Sequence, residues 1–101
     1  MLEDVTFDQM KQCIGQNFRV EVEGRQPVDL LLVRAGKVME SEAARLKRSA
    51  FSLFFLGPPE PYLPQKIYPF HHEKFGPEAE GIFLVPVGKD PKGFLYEAVF
   101  T

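Results

Sequence analysis

The chain has 101 residues, with 12 Lys and Arg against 14 Asp and Glu, a formal net charge of −2, ten Phe, no Trp and a single Cys. That length fits one hydrophobic core, and 45% hydrophobic with 26% charged residues is the balance of a folded domain rather than a disordered chain. The basic residues are scattered, which excludes the electrostatic footprint of a nucleic-acid binder, and the lone Cys13 excludes an internal disulfide and any cysteine-paired metal motif.

A single domain spanning residues 1–101 is therefore expected. Its opening, MLEDVTFDQM, is acidic and lacks an apolar run, so it reads as neither a secretory signal nor a membrane span, and a cytoplasmic location with no membrane partner follows as the expectation. Thr6-Phe7-Asp8-Gln9 has the form of a capping box, with Val5 and Met10 as a flanking apolar staple. Phe7, Met10 and Ile14 recur at helical spacing and Gly15 supplies a stop, which predicts a two-turn helix from Phe7 to Ile14. A helix this short is not stable alone, so its apolar face must lie on the rest of the domain.

From Asn17 the period changes to two, with Phe18, Val20 and Val22 opposed by Arg19, Glu21 and Glu23, the pattern of a half-buried strand. Turn chemistry from Gly24 to Pro27 leads into VDLLLVRAG, where Leu30, Leu31, Leu32 and Val33 run together and predict a strand covered on both faces. Glu40 to Arg48 reads as an exposed connector with at most one helical turn; its cations Arg45, Lys47 and Arg48 follow Glu40 and Glu42 and are compensated locally. Phe51, Leu53 and Phe55 then alternate with Phe54 and Leu56 in a further strand, ended by Gly57-Pro58-Pro59.

Four prolines between Pro58 and Pro64 force an extended, polyproline-like loop that divides the sheet into two halves. Lys66 to Glu73 and Gly81 to Gly88 are predicted strands, each demoted to an edge or a bulge by its proline, Pro69 and Pro86. Asp90-Pro91-Lys92-Gly93 suits a type I turn and should close a hairpin onto the last strand, FLYEAVF. The expected fold is mainly β (α+β): a short N-terminal helix followed by about six antiparallel strands, in a meander curling toward a small barrel or a two-layer sheet.

Chemistry is hard to place on this scaffold. Adjacent His71 and His72 point to opposite faces of a strand, so they cannot jointly chelate one ion, and Glu73 meets the same objection as a third ligand. Cys13 sits on the predicted helix without a His or Asn partner, and Ser41, Ser49 and Ser52 lie in no nucleophile elbow. Glu97 interrupts the apolar last strand and reads as a solvent-side carboxylate or a partner of Arg19 or Arg34. No phosphate-binding loop occurs. The expectation is a non-enzyme with no catalytic residue, no metal and no cofactor.

The run FSLFFLGPPEPYLPQKIYPFHH followed by GIFLVPVGKDPKGFLYEAVF resembles an uncharacterised family of small bacterial domains of unknown function. The resemblance is carried by Phe51-Ser52-Leu53, Phe55, Gly57-Pro58, Leu63-Pro64-Gln65, Tyr68, His72, the FLVPVG strand and the closing YEAVF, with a looser match in the N-terminal half. Members often carry a basic residue where Leu56 stands here. The resemblance implies a fold signature of turn and core residues and assigns no activity.

Strands apolar on both faces need more cover than one short helix provides. This favours an interaction or assembly module that binds a protein partner or associates with itself as a homo-oligomer, by fold-level analogy an accessory component of a larger bacterial or phage-derived complex. The alternative is a small-ligand-binding β-barrel, with weak enzymatic activity, whose aromatic pocket would be lined by Tyr62, Tyr68, His72 and Tyr96. The candidate partner contact is the preordered loop through Pro58, Pro59, Tyr62, Leu63 and Pro64, with Tyr62 either anchoring a partner or folding back on the domain.

Overall fold

The capping box forms as the sequence requires: Gln9 N–H donates to Thr6 Oγ1 at 3.1 Å and Thr6 N–H donates to Gln9 Oε1 at 3.0 Å. In the computed structural model, which describes residues 6–37, 51–75 and 79–100, helix α1 covers only Phe7–Lys11. It stops short of the predicted Ile14 because the chain tightens into three-residue turns. Gly15, at φ +95°, then turns its N–H to Leu32 O at 2.8 Å instead of continuing the helix. Met10 and Cys13 are consequently the buried residues, and Ile14, placed on the apolar face by helical spacing, is exposed.

Six strands follow: β1 (Asn17–Val20), β2 (Val28–Lys37), β3 (Phe51–Gly57), β4 (Lys66–His71), β5 (Glu80–Asp90) and β6 (Gly93–Phe100), with a 3-10 turn at Glu73–Phe75 between β4 and β5. All neighbours are antiparallel, and the order around the closed barrel is β1-β2-β3-β6-β5-β4. The fold class is as expected, but the strand order is not a continuous meander. The Pro-rich loop carries the chain from the end of β3 to the start of β4, and β6 returns to pair with β3. The predicted connector from Glu40 to Arg48 lies outside the described residues.

Register explains how so many apolar residues share short strands. In β2 the ladder with β3 shifts between Leu32 and Arg34, so Val33 is the extra residue of a bulge and the inward parity changes from Leu30 and Leu32 to Ala35. The four-residue apolar run is therefore not covered on both faces: Leu30 and Leu32 are buried, Leu31 is half-buried and Val33 is 39% exposed. In β3 the inward residues are Phe51, Leu53 and Phe55, while outward Phe54 is capped by the Arg34 guanidinium 4.9 Å from its ring centre. Pro69 O accepts the Glu21 N–H, so the side of β4 that lacks a donor faces the point where β1 pairing ends. Pro86 sits at the second bulge, where the β5–β6 register shifts before Gly88.

The barrel interior is filled by rings and leucines. Phe18 meets Phe55 edge-on at 5.4 Å between centroids, Phe55 meets Phe70 likewise at 5.4 Å, and Phe51 stacks on Phe100 at 5.1 Å. Burying each such ring contributes roughly 2 kcal/mol. One end of the barrel is closed by Met10, Cys13 and Phe75, the other by Leu63 from the Pro-rich loop. No helix among the described residues is long and apolar enough to cross a membrane.

The end of β3 and the start of β6 come so close that a glycine is required at Gly93, and the core side chains crowd a second at Gly57. A Cβ on Gly93, at φ +157°, would lie 1.8 Å from Gly57 O, and a Cβ on Gly57 would lie 2.8 Å from Leu30 Cδ2. Gly93→Ala is expected to cost about 3 kcal/mol or more, or to prevent folding. Gly36→Ala, whose Cβ would meet nothing within 4 Å, is expected to stay within about 0.5 kcal/mol of the parent, both variants being measured by urea denaturation.

Candidate functional site

The two histidines lie where β4 ends, and they divide as their adjacency demands. His71, outward and exposed, places Nε2 2.7 Å from Glu21 Oε2, across the β1–β4 seam. His72 turns the other way and stacks on Phe18, with ring centroids 4.1 Å apart. Lys74 N–H donates to its Nδ1 at 3.1 Å, and since a backbone N–H can only donate, the ring proton of the neutral form resides on Nε2, 2.8 Å from Gln16 Oε1. Burial lowers the His72 pKa below its ordinary value; the Glu73 carboxylate opposes this and Lys74 adds to it.

Both nitrogens of His72 are thus engaged, which leaves it no lone pair for a metal or a substrate proton. With Gln16, Asn17, Arg19, Asp29, His71 and Glu73 it lines a shallow, open depression of about 620 Å³. Arg19 faces Asp29 there at 3.8 Å rather than Glu97. Glu97 lies half-buried on the outer face, in register with Phe54 and Val85. Among the described residues no three His, Cys, Asp or Glu side chains are grouped to hold a metal ion. Cys13 is buried and donates to Gln9 O at 3.4 Å; burial pushes its thiol pKa up, with Lys74 opposing and Glu73 adding.

The Pro-rich loop is used mainly to close the barrel. Leu63 points inward and is buried, its N–H donating to Tyr96 Oη at 2.9 Å, and Pro64 O accepts the Tyr68 hydroxyl at 2.6 Å. Burial raises the pKa of both tyrosines, offset in part at Tyr96 by the Leu63 N–H. Tyr62 is 52% exposed yet lies edge-on to Phe94 at 5.0 Å, so it folds back on the domain while keeping one side in solvent. Pro59 and Pro64 are exposed and Pro58 is half-buried. Of the five residues proposed as a contact, Leu63 is thereby withdrawn from the surface.

Tyr62, Tyr68, His72 and Tyr96 do not share a pocket. Tyr62 is outside, Tyr68 and Tyr96 bond to the loop at one end, and His72 packs at the other. Among the described residues every buried side-chain nitrogen or oxygen has a hydrogen-bond partner.

One further feature lies on the outer face. Ile67 on β4 and Phe83 on β5 stand directly opposite each other and are 62% and 49% exposed. Period-two reading of KIYPFH and GIFLVP carries this signal, since Ile67 and Phe83 fall opposite in parity to buried Tyr68, Phe70, Ile82 and Leu84. The ladder between β5 and β6 begins only at Val85–Glu97, so β5 from Glu80 to Leu84 is paired on the β4 side and lies outside the β6 register.

Removing the Tyr96 hydroxyl isolates a buried donor. Tyr96→Phe is expected to destabilise the domain by about 1–3 kcal/mol in urea denaturation through the unsatisfied Leu63 N–H, whereas Tyr62→Phe at the exposed position should change it by less than about 0.5 kcal/mol.

No curated protein and no solved structure matches the chain. Residues 5–100 match the family described as a domain of unknown function, DUF6916, and with nearly the whole chain covered, this six-stranded barrel belongs to that family.

Proposed function

We propose that the domain is a non-enzymatic protein-interaction or assembly module whose contact face is the outer surface of β4 and β5. The observation that carries this reading is the exposed Ile67–Phe83 cross-strand pair, two large apolar side chains facing outward on a sheet whose interior is already filled. Exposed apolar residues scattered singly need no explanation, but a directly paired isoleucine and phenylalanine beside a strand segment outside its neighbour's register are the elements of a contact site. The hydroxyls of Tyr68 and Tyr96, the His72 ring and the Cys13 thiol all serve internal bonds, which supports a binding role over a catalytic one. In this reading the domain is an accessory component of a larger assembly, joined to a protein partner or to copies of itself.

Light scattering across a wide concentration range, on the parent chain and on an Ile67→Lys/Phe83→Lys variant, tests the homotypic form. The expected result is a parent mass above the 11.5 kDa of one chain that returns to that value in the variant. For a heterologous partner, quantitative capture from the native cell extract with parent and variant baits should lose a defined protein on the double substitution. A parent that is monomeric throughout, together with captures identical for parent and variant, would overturn the reading.

A further inference from the structure

His72 joins three parts of one barrel end: the Gln16 turn after α1 through Nε2, the 3-10 turn through Nδ1, and β1 through its stack on Phe18. The 3-10 turn is otherwise tied down by the Phe75 N–H to His72 O bond at 2.9 Å and by the Phe75 ring, which is buried 5.7 Å from Phe18 and 6.3 Å from the imidazole. Beneath this end lies Cys13, fully buried and within electrostatic reach of Glu73 and Lys74 on the same turn. The turn that His72 holds thus carries the two charges that act on the only thiol of the chain.

The bonding pattern holds only for the neutral ring. Protonation puts a second N–H on Nδ1, facing the Lys74 N–H, so the backbone donor loses its acceptor and two donors meet head to head. We propose that His72 is a pH-dependent latch: the neutral imidazole holds the Glu73–Phe75 turn closed over the Cys13 end of the barrel, and the protonated imidazole releases it.

The surrounding charges set the sign. The turn carries Glu73, which favours the imidazolium, and Lys74, which opposes it; burial outweighs the carboxylate and shifts the balance toward the neutral ring. From β1 and β2 the ion-paired Arg19 and Asp29 line the adjoining depression, and His71, engaged with Glu21, lines it from β4; the α1 side presents the uncharged Gln16 amide and the Cys13 thiol. Because the closed-state pKa lies below the ordinary 6.5, the latch contributes fully above pH 6.5 and is lost as pH falls from there through the closed-state value.

Amide hydrogen exchange followed by NMR from pH 7.5 to 5, corrected for intrinsic rates, tests this on the whole chain. For the parent, protection of the Lys74 and Phe75 amides should be flat above pH about 6.5 and then fall by up to about tenfold per pH unit before levelling at the closed-state pKa. Alkylation of Cys13, normalised to the unfolded chain at each pH, should accelerate over the same interval. His72→Asn, whose side-chain oxygen can accept the Lys74 N–H without titrating, should keep the turn protected at every pH. His72→Phe, which lacks an acceptor, should be open and pH-independent.

Protection that is unchanged over the range in the parent, or that falls equally in His72→Asn, would overturn the proposal. So would parallel loss of protection at Leu53 and Tyr96 in the β3–β6 ladder, since that would mark unfolding of the whole domain rather than release of a turn.

Discussion

The ladder between β3 and β6 is the constraint on which the rest of the structure depends. It pairs seven residues on each strand without interruption, Phe51–Gly57 against Phe94–Phe100, and it is where two three-stranded meanders become one barrel. Its inward residues, including Phe55, Tyr96 and Ala98, supply the middle of the core. Its closed end brings the Gly57 carbonyl so near Gly93 that a Cβ there would lie 1.8 Å from Gly57 O, while Gly57 itself faces the Leu30 and Tyr96 side chains. The Tyr96 hydroxyl reaches Leu63 only because the same ladder fixes its depth, and with Leu63 comes the loop that plugs the barrel.

The polar chemistry follows from how the two ends are sealed. At one end, backbone groups of an irregular Pro-rich loop are buried and need partners, and two tyrosine hydroxyls provide them. At the other, the His72 imidazole accepts the Lys74 N–H of the 3-10 turn and donates from its second nitrogen to the Gln16 side-chain carbonyl. In both places the groups most often used for catalysis are holding main chain in position. The directly paired exposed apolar residues, Ile67 and Phe83, lie on the outside of β4 and β5.

Much of this architecture is legible in the residues. The capping box, the Asp90–Gly93 hairpin, the six strands and the dividing role of the Pro-rich loop each rest on local rules, and each is present. The errors arise where a tertiary contact overrides a local period. Helical spacing puts Ile14 inward, but the chain tightens into three-residue turns after Lys11 and the Gly15 bond to Leu32 then carries it away. The Leu30–Val33 run looked buried on both faces because a bulge has no signature in a string of similar apolar residues. The candidate contact was placed on the Pro-rich loop because preordered backbone is visible in sequence, whereas the inward turn of Leu63 depends on Tyr96, 33 residues away. Parity within each strand marks Ile67 and Phe83 as outward, but their standing directly opposite each other depends on the β4–β5 register, which neither strand shows alone.

A closed barrel is a hoop, and a hoop is only as strong as its shortest joint. Here that joint is β1 to β4, two register pairs and one further backbone bond, against seven pairs at β3–β6. Each backbone hydrogen bond contributes about 1 kcal/mol net, so strain applied anywhere on the circumference concentrates at this seam. The residues it joins lie 50 or more positions apart, Val20 to Phe70 and Arg19 to His71, so the hoop is also slow to fasten, since that long loop must close before either pair forms. The domain is built as a firm five-joint ribbon, curved far enough for its free edges to meet.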